Sequence, residues 1–388
     1  MPGFRSSPAF RLLLAATALG FGSYALLLPV LPLWVATGGA GEFGAGLTTG
    51  VFMAGTVVTQ LGVPRLLRAI GHRTVLLIGF LLLGLPSPLL ALTTDLAPAV
   101  GVSAVRGIGF GMVTVAGSAS VAELVTPSSH GRASARYGYA VAFPQLLFLP
   151  AGVAVTDVLG FTGVFVLAGV TPLIAAAVCL FLRVPAPRRP ESAAPSRSRG
   201  RRGGVLSALR AGPVVALTAC AVAQAGVITF GPLLAPDARR AVLATLFVLP
   251  LGMLVGRAIS GTLTDRSQRP GGLLGTGTLL TAAGMLAVVA STAAPLLLPL
   301  GGALVGLGFG MVQNDAMVAL FAAGPAHYST ASAAWNIGYD AGTGLGATAL
   351  GALAEPFGIG LAFTGSVVLL LVVTPFVRVS RHEHRSPV

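Results

Sequence analysis

Apolar runs of membrane-spanning length recur along this chain, and they constrain its fold more than any other feature. Leu12–Val35 and Val75–Leu92 are two of them. About 20 apolar residues cross the hydrocarbon of a bilayer as an α-helix. Only 9% of the residues are charged and 54% are hydrophobic, with a mean hydropathy of +0.88. A soluble domain carries about 25% charged residues, so this chain lacks the polar surface to cover itself in water. With no water to satisfy the backbone in hydrocarbon, helices are the economical solution. The expectation is an all-α polytopic membrane protein with twelve transmembrane helices, near residues 10–34, 44–64, 74–94, 97–126, 133–157, 161–183, 206–234, 240–263, 272–293, 295–324, 329–354 and 357–377. The opening MPGFRSSPAFRLLLAATALG imitates a signal peptide, but its apolar run continues to Pro29 and Trp34. That is too long for a cleaved segment, and it reads as the first span.

One long polar segment interrupts the pattern. Pro185–Gly204 is rich in Pro, Ser and Arg and has no apolar face to bury. It divides the chain into an N-terminal six-helix bundle (1–184), a linker (185–205) and a C-terminal six-helix bundle (206–388). The chain has no lysine, so arginine sets the orientation. Arg65, Arg68, Arg73, Arg132, Arg136, Arg266, Arg269 and the linker arginines fall on one side. Glu42, Asp95, Asp157, Asp237 and Glu355 fall on the other, with only Arg239 and Arg240 against them. By the positive-inside rule both termini are cytoplasmic, and the expected location is the cell membrane. The net charge of +13 follows from this bias and requires no nucleic-acid partner. The linker arginines are placed to meet anionic lipid heads.

Short sequences repeat between the halves. GFGMV occurs at Gly109–Val113 and again at Gly308–Val312, 199 residues on. The tripeptide ASA occurs at Ala133–Ala135 and Ala331–Ala333, 198 residues apart. A looser pair, Leu66 to Gly71-His72-Arg73 against Gly261 to Arg269, lies at an offset of 197. Three matches in order, on either side of a polar linker, point to a duplicated six-helix unit. Parallel six-span repeats occur in secondary transporters.

These motifs resemble those of the major facilitator superfamily over essentially the whole chain. GTLTDRSQR (Gly261–Arg269) is similar to the family's loop motif G-x-L-x-D-R-x-G-R, with Gln268 in place of a glycine. The first-half copy has Arg68 where the acid stands and Ala69 for the following arginine. Arg106 followed by Gly107, Gly109 and Gly111 resembles the family's helix-4 motif. The resemblance implies two bundles rocking about a central cavity lined by helices 1, 4, 7 and 10, with no cofactor and no covalent chemistry. It also implies a gating role for Arg257, Gly261, Asp265, Arg266 and Arg269, and for Gly71 and Arg73 in the first half.

Ionisable residues in mid-span cost roughly 2.5–3.5 kcal/mol on insertion scales, so each needs a reason. Arg106, Glu123, Asp315 and Asp340 are the four in question. Glu123 is close enough to the cytoplasmic end for water to reach it. Asp340 shares a helix face with Asn336 and Thr343, flanked by Trp335 and Tyr339. A carboxylate there, neutral when protonated and charged when empty, suits a proton carrier. Gly338, Gly342 and Gly346, four apart, form a small-residue seam, for which Gly46, Gly50 and Ala54 offer a matching face. Gln313, Asn314 and Asp315 fan out by about 100° each and cannot all meet one partner. Proton coupling is therefore assigned to Asp340, Asp315 and Arg106. The substrate cavity is assigned to Tyr24, Arg106, Gln224, Phe230, Asn314, Trp335, Asn336 and Tyr339.

Two asparagines and five glutamines are too few amides for a sugar site. The expected function is proton-coupled efflux of small amphipathic compounds by a monomeric secondary transporter whose partners are substrate, protons and the lipid bilayer. One alternative is uptake or exchange of a small organic anion held by Arg106. Another is a non-transporting membrane sensor on the same scaffold. Cys179 and Cys220 form no disulfide framework, no Cys/His cluster has metal-ligand spacing, and no nucleophile–base pair argues for an enzyme.

Overall fold

The apolar runs are helical. The computed structural model describes residues 7–125, 130–184, 208–209, 211–322 and 328–379. The linker and the C-terminal tail arginines Arg381 and Arg385 lie outside these residues. Among the described residues there are ten α-helices and a short 3-10 helix, Ser87–Leu92. The α-helices are α1 (Pro8–Thr37), α2 (Gly41–Gly84), α3 (Leu96–Leu124), α4 (His130–Leu180) and α5 (Gly212–Leu234). They continue with α6 (Arg239–Ser267), α7 (Leu274–Ala290), α8 (Leu297–Phe321), α9 (Tyr328–Phe357) and α10 (Ile359–Val379). Two of the ten bend sharply at one glycine, α2 at Gly71 (φ 78°) and α4 at Gly160 (φ 64°). Only glycine takes such angles without a steric cost. Dividing α2 and α4 there yields twelve helical segments among the described residues, consistent with the twelve expected spans. Eight helical elements contain a stretch apolar enough to cross a bilayer. α7 is shorter, and α9 is absent from the eight because Ser, Thr, Asn and Asp interrupt its apolar sequence.

The chain forms two compact units, Met1–Ala40 with Val51–Ala194, and Gly41–Gly50 with Pro195–Val388. The first turns of α2 thus group with the second unit.

The repeated glycines explain how each unit closes. In the first, a Cβ at Gly107 would run into the Phe52 carbonyl, and one at Gly111 into that of Thr56, both on α2. Gly109, on the other face of α3, stands equally close to the Gly79 carbonyl beyond the α2 bend. In the second, Gly306 and Gly310 of α8 stand against the Leu249 and Met253 carbonyls of α6, and Gly308 against that of Gly277 on α7. Backbone meets backbone at equivalent places in both repeats, as small residues permit in a membrane. In the first unit Thr56 Oγ1 reaches across the seam to the Gly107 carbonyl at 3.1 Å.

Helix α9 is small on two faces. Gly338, Gly342 and Gly346 abut α5 at Val214, Thr218 and Val222, and the Thr218 hydroxyl donates to the Gly338 carbonyl at 3.1 Å. This corrects the pairing expected from sequence. Gly46 and Gly50 do pack on α9, but against Ala347, Thr348 and Gly344 on its other side. At the end of α9 the Glu355 carboxylate accepts the Phe43 amide at 2.9 Å, in the N-terminal turn of α2.

Asp315 holds the turn between α6 and α7. Its side chain is fully buried and accepts from the Gly271 amide at 3.0 Å, the Leu273 amide at 2.6 Å and the Thr264 hydroxyl at 3.3 Å. A carboxylate over the first amides of α7 satisfies donors that the helix cannot and complements its dipole. In the same turn Gln268, where the family motif has glycine, is the one non-glycine described with a positive φ, 50°.

Two outcomes follow for stability. Gly306→Val forces Leu249 and its helix aside and should cost about 1–3 kcal/mol or more, whereas Gly101→Val projects into open space and should cost little. Thermal unfolding in detergent compares them. Asp315→Asn turns an amide group toward backbone donors and should cost about 1–3 kcal/mol, seen as a lower unfolding midpoint.

Candidate functional site

Each unit contains its own polar and aromatic cluster. In the first, Arg106 lies on α3 with only 2% of its surface exposed. Its Nε donates to the Leu83 carbonyl at 3.2 Å, and a terminal nitrogen donates to Ser23 Oγ at 3.3 Å. Leu83 is in the last turn of α2, where carbonyls lack helical partners and a cation is favoured. Ser23 passes the contact on, donating to the Ala168 carbonyl of α4 at 2.6 Å. The guanidinium also sits 5.6 Å from the centre of the Phe52 ring, a distance suited to cation–π attraction. Tyr24 stacks between Phe52 and Phe110, with ring centroids 5.7 and 4.5 Å away. Arg106 thereby joins α1, α2, α3 and, through Ser23, α4.

The second unit brings together residues that the sequence scatters over four helices. Tyr339 of α9 stacks on Phe309 of α8 at 5.8 Å and on Trp335 of α9 at 5.9 Å. The Trp335 indole donates to the Gln313 carbonyl at 3.0 Å. Arg257 of α6 donates through Nε to Gln313 Oε1 at 2.8 Å. Tyr339 is within hydrogen-bonding reach of Gln224 on α5, and within electrostatic reach of both Arg257 and Asp340. Asp340 is 6% exposed.

Of the residues assigned to the cavity, Gln224, Trp335 and Tyr339 meet in this second cluster. Tyr24 and Arg106 meet in the first unit. Phe230 is fully buried and packs beside Gly46 and Gly351. Asn314 donates to Ser260 Oγ at 3.2 Å, and Asn336 bonds back to the Ser332 carbonyl at 2.8 Å. The three neighbours Gln313, Asn314 and Asp315 do take three different partners. Of the gating residues, Asp265, Arg266, Arg269 and Arg73 are exposed, Gly261 lies near Asn314, and Gly71 forms the α2 bend. Arg257 lies apart from the exposed ones, inside the second cluster. His72, next to Gly71, is buried against Ser120 Oγ at 3.1 Å and lies within electrostatic reach of Glu123.

Arg257, Gln313 and Phe309 were not assigned to the cavity from sequence. The signal was present in α6, where Arg257, Ser260 and Thr264 recur at helical spacing and face Gln313, Asn314 and Asp315 in turn. Among the described residues no group of His, Cys, Asp and Glu could hold a metal.

The fold has many solved relatives. A bacterial homologue of the human lysosomal transporter Spinster, in an inward-facing and occupied conformation, superposes with a TM-score of 0.76 at 15% identity, covering 97% of this chain and 98% of that one. Its inward-facing, unoccupied form gives 0.77 at 15% identity, over 96% and 97%. The nucleoside transporter NupG, as a D323A mutant, gives 0.76 at 11% identity, over 96% and 99%. No curated protein matches by sequence. The family model described as Major Facilitator Superfamily matches residues 13–323, most of the chain. This multi-pass membrane protein is a non-enzymatic transporter of the Major Facilitator Superfamily.

Proposed function

We propose that the protein is a proton-coupled transporter of small amphipathic compounds, working in the direction of export, with Asp340 as the proton carrier. The observation that carries this reading is a buried carboxylate on the helix that also presents the stacked Trp335 and Tyr339. A carboxylate inside a membrane protein is costly, and function is the default explanation for it. The aromatic faces suit an apolar solute body. Asp315 is a weaker carrier candidate because its oxygens already hold the α6–α7 turn. Arg106 is better read as an internal anchor, since its donors engage oxygens of its own unit. That weakens exchange of an organic anion through Arg106. The nucleoside named for one structural neighbour would require more hydrogen-bonding side chains than this cluster offers. The arginine asymmetry supports insertion in the cell membrane with both termini cytoplasmic. The motion would be the alternating access of the family, and the working unit a monomer.

The test is proton movement in proteoliposomes across a preset pH gradient, with lipophilic cations, neutral drugs and aromatic acids added in turn. At least one compound should collapse the gradient with the parent protein, and Asp340→Asn should reduce that rate by roughly tenfold or more, the range of a lost proton-transfer group. A mutant equal to the parent removes Asp340 from the mechanism. A parent that moves protons with no compound favours the sensor reading. Arg106→Lys should lower the unfolding midpoint in detergent, because the fork bridging Leu83 and Ser23 is lost, while leaving the pH dependence of transport in the proteoliposome assay unchanged.

A further inference from the structure

We infer that Arg257 anchors a binding site for the oxyanion of a flat aromatic compound, with Gln313 and Gln224 as its polar partners and Trp335 and Tyr339 as its stacking face. This rests on the transport reading and names the substrate class of the same cluster. It moves anion recognition from the first unit to the second.

The first observation is a guanidinium whose hydrogen-bonded side-chain partner is a neutral amide. Among the described residues the Arg257 guanidinium makes one side-chain hydrogen bond, to Gln313 Oε1 at 2.8 Å. A guanidinium has five N–H donors, and this bond engages one of them. Arg257 is half-buried, and holding a cation within a membrane-spanning helix is costly. As a purely structural group it would be a poor choice, since a neutral side chain could fill the same space.

The second observation is a pair of orphaned polar atoms, one on the amide that holds Arg257 and one on Gln224, which reaches Tyr339. Gln313 is 1% exposed, and its Nε2 has no hydrogen-bond partner; Gln224 is 2% exposed, and its Oε1 has none. Buried polar atoms are almost always satisfied, and leaving one unmade costs about 1–3 kcal/mol. The Gln313 amide cannot be turned over to resolve this. Its oxygen is held by Arg257 Nε, and the reversed amide would set donor against donor. Because Oε1 and Nε2 belong to one amide, the free Nε2 donor lies beside the guanidinium. The remaining guanidinium N–H groups and this amide N–H are neighbouring donors, of the kind that a carboxylate or sulfonate accepts in two-point fashion. Gln224 Oε1 remains as an acceptor for a hydroxyl or N–H on the same ligand.

The third observation is the surface next to these donors. Phe309, Tyr339 and Trp335 stack in series with interplanar angles of 25° and 24°. Trp335 and Tyr339 are half-buried. A planar ring binds such a face by offset stacking. Trp335 also donates to the Gln313 backbone carbonyl, which ties the stacking face to the residue that orients Arg257. A lipid phosphate offers the same oxyanion, but its saturated tails make no use of stacked rings.

The probe is 2-naphthoate, compared with the uncharged 2-naphthamide and with a short-chain phosphatidylglycerol, by calorimetry on the full-length protein in a neutral detergent. The acid should bind at least tenfold more tightly than the amide. Arg257→Gln should abolish that preference while leaving the amide unchanged, and Arg257→Lys should retain only part of it. Gln313→Glu should also abolish it, by supplying an internal carboxylate to the intact guanidinium, and should keep or raise the unfolding midpoint. This second variant separates lost binding from lost folding. Equal binding of acid and amide, binding of neither, or a preference that survives both Arg257→Gln and Gln313→Glu overturns the inference. Tighter, Arg257-dependent binding of the phosphatidylglycerol overturns it in favour of a lipid site. No gradient is involved, so failure here leaves the proton-transport result untouched. A protein that binds naphthoate but moves no protons fails the transport reading alone.

Discussion

Close approach of helix backbones is the constraint on which both units depend. Lipid tails are as apolar as leucine, so burying leucine against leucine contributes little to helix association in a bilayer. What remains is van der Waals contact, and it grows as helix axes come nearer. Glycines on both faces of α3 and α8 let two neighbours approach at once, with carbonyls where a Cβ would otherwise stand. This is the physical meaning of the repeated GFGMV. The duplication preserves a three-helix contact rather than a ligand site, and the polar clusters are arranged around it.

Carboxylates take two different parts in this arrangement. Asp315 and Glu355 each meet backbone amides at the start of a helix, α7 and α2 respectively. There the helix end supplies the compensating partial charge, and an acid can be held in place without a cation. Asp340 sits instead on a helix flank, within electrostatic reach of Tyr339. Arg106 repeats the logic with opposite sign, donating to the last turn of α2. Arg257 is the exception, because a glutamine oxygen is its hydrogen-bonded partner. The groups that fold the protein are thus separable from those that the folding leaves poised.

Much of the architecture was legible in the residues. Composition settled the solvent, the apolar runs settled the helices, and the GFGMV and GTLTDRSQR motifs pointed to the family that the wider match establishes. The candidate site was legible only in part. The Gln313, Asn314 and Asp315 run announced three directions, yet nothing in it said that Asp315 would meet a turn 44 residues upstream. The Gly338, Gly342 and Gly346 seam was visible, but its partner was misassigned because α9 is small on two faces. Sequence spacing tells which residues share a face, not which neighbour that face meets.

What the sequence determined by itself was the solvent, the helical class, the internal repeat and the positions that must be small. These are consequences of local composition and period, and a bilayer enforces them strongly because unsatisfied backbone has no water to turn to. What only the tertiary structure decided was the pairing of polar side chains. Arg257 with Gln313, Asp315 with the α6–α7 turn and Arg106 with Leu83 each join positions 23 to 56 residues apart. Several rotations of neighbouring helices would satisfy the same apolar pattern. The choice among them is made by where glycines admit a neighbour's backbone, and that is a property of helices in contact.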